Sequence, residues 1–513
     1  MIPTLASLII GALGGVAVWL GFPGPAGGWW PLVYLGLVVL LTLVRGRGGG
    51  QAFLSAFAWS CGFFLPHISW AREAAGSVAP WLALAGVQIL AVSLWGWTMG
   101  LAAHHRWIRA HPWAWIVEAA VSFAGVEQIR AHYPYGGMPW GIVAYSQVDA
   151  PIGRLAPWIG EVGLTALVVA ACAGVATALG AWTHLPARIG TAALAVCLCA
   201  VPLVATAPTR PQAGDLRVAA VQGNVDRPVR ETYGNGSVLA NHVYQTLQSI
   251  RPGDADVILW GEHAADRDPL VNSSAGTALA EVTDSLDIPL LYGTVRYGSH
   301  AGREARWGEY RLAGQPEATY AKRYPVPFGE FLPDRDFYLR ISPDASKIGT
   351  DMVAGHKVGV IDVPLADRTV KMGVGICFEV AVEQAISDDV NAGAQIIVIP
   401  TNNALFGETS ESVQQLQMAR LRALEYQRSV VQVSTQGVSG IVLPNGKLIA
   451  RTTLFTPDTL KATVPLRTSI TPAARFGTAA NTLTMGVTLF WAVACWVTAP
   501  FRARRRAATH KED

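Results

Sequence analysis

One cysteine in this chain stands apart from the other five. Cys61, Cys172, Cys197, Cys199 and Cys495 lie in long apolar stretches, whereas Cys377 ends a short β-like run, Val370–Ile376, and is followed by Phe378-Glu379. A sulfur at the carboxyl end of a strand sits where α/β sheets bind ligands. It can be a nucleophile or a buried inert thiol, and position alone leaves both open. A nucleophilic thiol must first lose its proton. A carboxylate can take that proton, and an ammonium can hold both the thiolate and the oxyanion of a tetrahedral intermediate. Two other segments offer such groups. Leu259-Trp260-Gly261-Glu262 ends an apolar run in a carboxylate, which alone would pass for a surface residue. Tyr320 to Phe331 crowds aromatics and prolines around Lys322 and Glu330, or else is a structured surface loop with a solvated lysine. Taken together, Glu262, Lys322 and Cys377 supply base, cation and nucleophile, and the backbone N–H of Phe378 can add a second oxyanion donor. His242, His263, His300 and His356 fall in no nucleophile motif, and no zinc-type spacing or Gly-rich phosphate loop is present. Neither a metal nor a cofactor is therefore expected.

The elements that must position these residues read as layered α/β. Short apolar runs predict strands at Leu216–Val225, Asp256–Glu262, Pro289–Val295, Val370–Glu379, Ala394–Thr401 and Val430–Thr435, several of them continuous enough to be buried on both faces. Asn445-Gly446 predicts the turn of a hairpin over Gly440–Arg451. A helix is expected over 412–428, where Ser412 and Gln415 have capping-box spacing and Val413, Leu416, Ala419, Ala423 and Tyr426 recur at helical period. Strands alternating with helices argue for one α/β domain.

The rest of the chain is written for lipid. Of 513 residues 51% are hydrophobic and only 15% charged, against about 25% charged in ordinary soluble domains. Stretches long enough to cross a bilayer are expected at 3–21, 29–45, 52–69, 80–103, 112–130, 158–183, 189–206 and 482–501. The organisation predicted is 1–207 as a seven-helix membrane domain, 208–480 as a water-exposed catalytic domain, and 481–513 as an eighth helix with a basic tail. Arg45, Arg47, Arg106, Arg109, Arg188 and the arginines at 502 and 504–506 all fall on one side if both termini are cytoplasmic. The 208–480 domain is then extracytoplasmic, where Cys377 has no disulfide partner of its own. Glu118, Glu127 and Glu161 fall in or beside predicted spans; such carboxylates are often functional, and the plainer reading is interfacial groups or buried helix–helix hydrogen bonds. The net charge of +3 makes no case for nucleic acid.

With these motifs in place, the chain resembles the nitrilase superfamily, whose triad is Glu-Lys-Cys. More closely it resembles that group's membrane-embedded branch, the apolipoprotein N-acyltransferases. The resemblance runs through Val221-Gln222-Gly223-Asn224, Lys322 with Val326-Pro327-Phe328-Gly329-Glu330, Gly375-Ile376-Cys377-Phe378-Glu379, Phe406-Gly407 and Gln414 to Glu425. It implies an αββα sandwich beside eight transmembrane helices, with Glu262 as base, Lys322 as oxyanion stabiliser, Cys377 as nucleophile, and Glu330 and Glu379 in support. It also implies a phospholipid acyl donor, a diacylglyceryl apolipoprotein acceptor, a ping-pong path through a thioester, and a monomer in the bacterial cytoplasmic membrane. Three positions depart from the family pattern: Gly261 where proline is usual, Phe378 where tyrosine is common, and Asn403 where aspartate is common. The residue types do not distinguish an amine from water as acceptor. A membrane-tethered amidase is therefore a second reading, and a non-catalytic membrane scaffold a third.

Overall fold

The computed structural model describes residues 4–24, 27–103, 105–179, 209–226 and 234–509. The chain divides into two compact units, one comprising 1–72, 78–206 and 478–513, the other 73–77 and 207–477.

The first unit is helical. Its main helices are Thr4–Leu20, Pro31–Val44, Gly49–His67, Val78–Ala102, Pro112–His132 and Ala156–Leu179, together with most of Pro472–Thr509. Each coincides with a predicted span; the remaining one, 189–206, lies outside the described residues, as do Cys197 and Cys199. Among the described residues, the stretches both long and apolar enough to cross a membrane are Val78–Ala102, Pro151–Leu179 and Pro472–Thr498. Thr4–Leu20 and Pro31–Val44 are apolar but shorter. Pro112–His132 is diluted by Glu118, Glu127 and Arg130.

These helices approach closely because small residues line their contacts. A Cβ on Gly15 would run into Trp59 O, and one on Gly62 into Ala12 O. Trp59 Nε1 also donates to Gly36 O at 2.9 Å. The carboxylates bridge helices. Glu127 accepts from Thr165 Oγ1 at 2.8 Å and Val143 N at 3.0 Å, and pairs with Arg130 at 3.5 Å. Gln128 Nε2 donates to Glu161 at 3.1 Å, and Trp491 Nε1 to Glu118 at 2.9 Å. Each of these glutamates thus takes a hydrogen bond from another helix.

The second unit is two packed sheets flanked by helices. In chain order its strands are β1 (Asp215–Gln222), β2 (Val257–Trp260), β3 (Leu290–His300), β4 (Arg303–Leu312), β5 (Gln315–Ala321), β6 (Asp351–Met352), β7 (Val360–Pro364), β8 (Thr369–Val374), β9 (Ile396–Thr401), β10 (Val430–Ser434), β11 (Gly440–Val442), β12 (Leu448–Arg451) and β13 (Asp458–Pro465). One sheet runs β13-β1-β2-β3-β4-β5 with β6 on β4; the other runs β12-β11-β10-β9-β8-β7. The centres, β1-β2-β3 and β8-β9-β10, are parallel.

Alternation along the strands divides the apolar residues between two cores. Leu216, Val218, Val257, Leu259 and Leu291 from the first sheet meet Val370, Met372, Val374, Ile396, Val398, Val431 and Val433 from the second in a central layer. The intervening residues Ala219, Val221, Ile258, Trp260 and Leu290 pack outward on Leu239, Ala275, Leu279 and Val282. Those last four belong to the crossover helices Ser237–Ser249 and Ser273–Leu286. Asn272 caps the second of these, its side chain accepting from Ala275 N at 3.0 Å. Helices Glu383–Asn391 and Glu411–Tyr426 pack on β8 and β10 of the other sheet. The parallel centres point the carboxyl ends of β2, β8, β9 and β10 toward one locus.

Two local expectations fail. The strand predicted over Val370–Glu379 stops at Val374, because the Glu379 carboxylate captures Ile376 N at 2.7 Å and the chain turns at Cys377. The helix at 412–428 is present as Glu411–Tyr426, but Ser412 and Gln415 do not cap it; its N-cap is Ser410, without a side-chain bond. Ser412 Oγ instead accepts from Val438 N at 2.7 Å, and Gln415 turns toward the site.

Candidate active site

Glu262 sits just beyond β2, held from both sides. Its N–H donates to Thr401 O at the end of β9, at 3.2 Å. A Cβ on the preceding Gly261 would stand only 2.7 Å from Thr435 N. Gly261 thus lets β2 end tightly against β9 and β10. Tyr310 Oη, from β4, donates to Trp260 O at 3.0 Å and fixes the strand end from the other side.

Lys322 follows β5 and is completely buried. Its N–H donates to Gly308 O at 2.9 Å, and its carbonyl accepts from Gly355 N at 2.8 Å. The ammonium lies 2.6 Å from Glu330 Oε1 and 3.3 Å from Glu262 Oε1. Burial alone would drive its proton off, but the charges of Glu262, Glu330 and Cys377 outweigh that, and its pKa is raised well above the ordinary lysine value. A buried cation needs such partners. Glu330 is aimed by its own loop, since its Oε2 accepts from Val326 N at 2.7 Å.

Cys377 opens a tight turn, Cys377–Ala381, with φ of 52°. A side chain in this left-handed region is uncommon and its backbone is strained. Glu379 holds the turn. Besides Ile376 N, its carboxylate accepts from Tyr320 Oη at 2.8 Å, Arg323 N at 2.7 Å and Tyr324 N at 3.0 Å. One buried carboxylate therefore joins the Cys377 turn to the loop bearing Lys322. Phe378, next after the cysteine, is buried within the same turn.

The thiol pKa is pushed well above its ordinary value. Burial is the main cause and the charge of Glu262 adds to it; Lys322 opposes, and Glu411 and Glu330 contribute further upward pressure. Left alone, Cys377 would stay protonated. A reactive thiol in this setting would need a base to take the proton and cations or donors to hold the sulfur.

Three residues missed by sequence reasoning complete the site. Gln415 Nε2 donates to Cys377 Sγ at 3.5 Å. Asn403 Nδ2 donates to Gln415 Oε1 at 2.9 Å and to Glu411 Oε2 at 2.8 Å. Burial pushes the Glu411 carboxyl up to about 8, against the Asn403 bond and helped by the charge of Glu262. The signal for them was a helix whose polar residues Glu411, Ser412, Gln414 and Gln415 lie on what is otherwise a core face. Among the described residues no group of three or more His, Cys, Asp or Glu is arranged to hold a metal ion.

Comparison with known proteins places the chain in a family. Residues 14–174 match the family described as apolipoprotein N-acyltransferase N-terminal domain, and residues 217–471 match carbon-nitrogen hydrolase. The apolipoprotein N-acyltransferase of Mycolicibacterium smegmatis is 33% identical over 90% of this chain and 81% of its own length. The chain belongs to the apolipoprotein N-acyltransferase family. The family member of Vibrio cholerae is 25% identical over 90% of this chain and 93% of its own. Among solved structures, Saccharomyces cerevisiae Nit3 of the nitrilase superfamily is similar over 49% of this chain and 90% of its own, at 16% identity and a TM-score of 0.37. Gly261 and Asn403 both fall where β2, β9 and β10 end, around the cysteine, and Phe378 lies in the Cys377 turn.

Proposed function

We propose that this protein transfers a fatty acyl chain from a membrane phospholipid to the α-amino group of the diacylglyceryl-cysteine that begins an apolipoprotein, the last step of lipoprotein maturation. The observation that carries the reading is the buried Lys322 ammonium. It is shared between Glu262 at 3.3 Å and Glu330 at 2.6 Å and coupled by charge to Cys377, in a member of this family.

The reaction runs in two halves. Glu262 takes the proton from Cys377 Sγ as the sulfur attacks the ester carbonyl. The new C–S bond raises an oxyanion, which Lys322 and the Phe378 N–H stabilise. The intermediate collapses, the C–O bond to glycerol breaks, and the leaving oxygen receives the proton from Glu262. A lysophospholipid departs and a Cys377 thioester remains. An α-amino group, of ordinary pKa about 8, then attacks the thioester. Glu262 accepts its proton, the C–S bond breaks, and an amide is released with the thiol restored. Glu330 keeps the ammonium in place, and Glu379 keeps the turn and the lysine loop in register.

Eight membrane spans, with both termini cytoplasmic and the 208–480 domain outside, complete the proposal. Its supports are the arginine bias of the loops and the apolar helices; both substrates are anchored in lipid, which gives so many spans a purpose. A monomer suffices for this chemistry.

The test is incubation of the purified protein with a phospholipid labelled in its acyl chains, with and without a diacylglyceryl peptide. Acyl label on the Cys377 peptide, chased onto the amine, is the expected result, and Cys377→Ser should abolish both. Free fatty acid as the sole product would favour the amidase-like reading. Normal transfer by Cys377→Ser would end the thioester mechanism.

A further inference from the structure

The charge of Lys322 favours a Cys377 thiolate from a distance, but the donor in hydrogen-bond contact with the sulfur is an amide. Gln415 approaches it from helix Glu411–Tyr426, with Nε2 at 3.5 Å from Cys377 Sγ. A glutamine can present either end of its amide, and only the nitrogen helps a thiolate; the oxygen would repel it. Which end faces the sulfur therefore matters, and the surrounding bonds decide it.

Gly437 N–H donates to Ser434 Oγ at 2.8 Å. With that lone pair occupied by a backbone donor, the Ser434 hydroxyl proton points onward, to Asn403 Oδ1 at 2.7 Å. Thr401 Oγ1 donates to the same oxygen at 2.9 Å. The Asn403 amide is thereby fixed with its nitrogen outward. Nδ2 then donates to Gln415 Oε1 at 2.9 Å, which leaves Gln415 Nε2 for the sulfur. Ser434, Asn403 and Gln415 are all buried, so no water competes for these bonds. Asn403 gives its second N–H to Glu411 Oε2 at 2.8 Å.

We propose that Gln415 is a positioning residue for the nucleophile, a neutral donor that stabilises the Cys377 thiolate, and that the Gly437–Ser434–Asn403 chain sets its polarity. This rests on the reading of Cys377 as nucleophile. Lys322 must also serve Glu262, Glu330 and a passing oxyanion. Gln415 has no such second duty at the reacting carbon, and can hold the sulfur through both halves of the reaction. The departure from the family pattern at Asn403 belongs to this device: an aspartate there could not donate to Gln415 Oε1.

The experiment measures the sulfur directly. The full-length protein in detergent is alkylated with iodoacetamide from about pH 6 to about pH 10, and modification of the Cys377 peptide is followed by mass spectrometry. Gln415→Met keeps the side-chain volume and removes the donor. Its alkylation at neutral pH should fall by roughly tenfold to a hundredfold, the worth of one hydrogen bond to a charged group, and recover at high pH. Ser434→Ala, remote from the sulfur, should shift the profile the same way by a smaller factor. A merely structural role would lower stability without moving the pH profile. A wild-type profile in folded Gln415→Met overturns the proposal; should that variant not accumulate, a wild-type profile in Ser434→Ala does so. Iodoacetamide needs no lipid. A shifted profile in a protein that transfers no acyl chain would therefore sink the acyl-transfer reading and leave this one standing.

Discussion

Replacing Lys322 with methionine keeps a chain of similar length and deletes the charge that Glu262 and Glu330 share. Their oxygens lie 3.3 and 2.6 Å from the one nitrogen, and so within about 6 Å of each other. At an effective dielectric of about 20, two like charges at that separation repel by about 3 kcal/mol or more. The cavity is buried, and an unpaired buried charge costs on the order of 3–5 kcal/mol. The protein can escape by binding a proton on the carboxylate pair. The sign follows from linkage: a carboxyl whose folded pKa is raised contributes stability fully present below its unfolded pKa and lost as pH rises through the folded one. Lys322→Met should therefore unfold only slightly below wild type near pH ~4.5, and by about 10 °C more near pH ~8. The measurement is the thermal midpoint of both proteins at the two pH values, from tryptophan fluorescence. The same variant should lose acyl transfer by about a hundredfold to a thousandfold, through the missing oxyanion partner. A stability deficit that is equal at both pH values would refute the shared-ammonium account of this site.

Other perturbations bear on single links. Glu411, pushed up to about 8 mainly by burial, has a folded pKa above its ordinary value, so wild type should lose stability as pH rises through about 8. Glu411→Gln removes that dependence, and thermal midpoints of the two proteins should converge or cross above that pH. In Glu379→Gln one of the two acceptor oxygens becomes a donor, set against either Ile376 N or the Arg323 and Tyr324 N–H groups. The cost should be about 1–3 kcal/mol, with slower alkylation of Cys377 at every pH because the turn itself loosens. Gly261→Ala must move a Cβ away from Thr435 N at 2.7 Å. It should cost about 1–3 kcal/mol and displace Glu262, so that kcat falls more than KM rises in the transfer assay.

The sequence revealed those strands whose buried faces are uniformly apolar. β1, β2, β3, β8, β9 and β10 are central and parallel, and their runs of valine, isoleucine and leucine announce burial on both sides. β4 was hidden because its sequence, Arg303–Leu312, is rich in arginine and glutamate. Those charges are absorbed by tertiary partners: Arg311 pairs with Asp268 and Glu309, both at 2.6 Å, and Arg296 of β3 with Glu309 at 2.7 Å. β13 was hidden because its partner, β1, lies far away in the chain. A strand stabilised by a distant neighbour leaves little local pattern.

The site divides in the same way. Glu262, Lys322 and Cys377 were legible because each ends a β-run or sits in a dense aromatic–proline loop, and because only one cysteine falls in the α/β region. The amides behind the cysteine were not legible, since Ser412 and Gln415 imitate a local capping signal while serving partners across the fold. Local and tertiary uses of one polar side chain compete, and burial decides between them: a helix start exposed to water would have kept its cap. Here the first turn of Glu411–Tyr426 is buried against the ends of β9 and β10, where any polar group without a partner is costly. Gly261 and Asn403 are parts of that same contact. An aspartate at 403 would place a carboxylate beside Glu411, already about 8, and beside the sulfur it must help ionise. The asparagine is therefore expected to vary together with Glu411 and Gln415, and Asn403→Asp alone should raise the Cys377 thiol pKa further than Gln415→Met does.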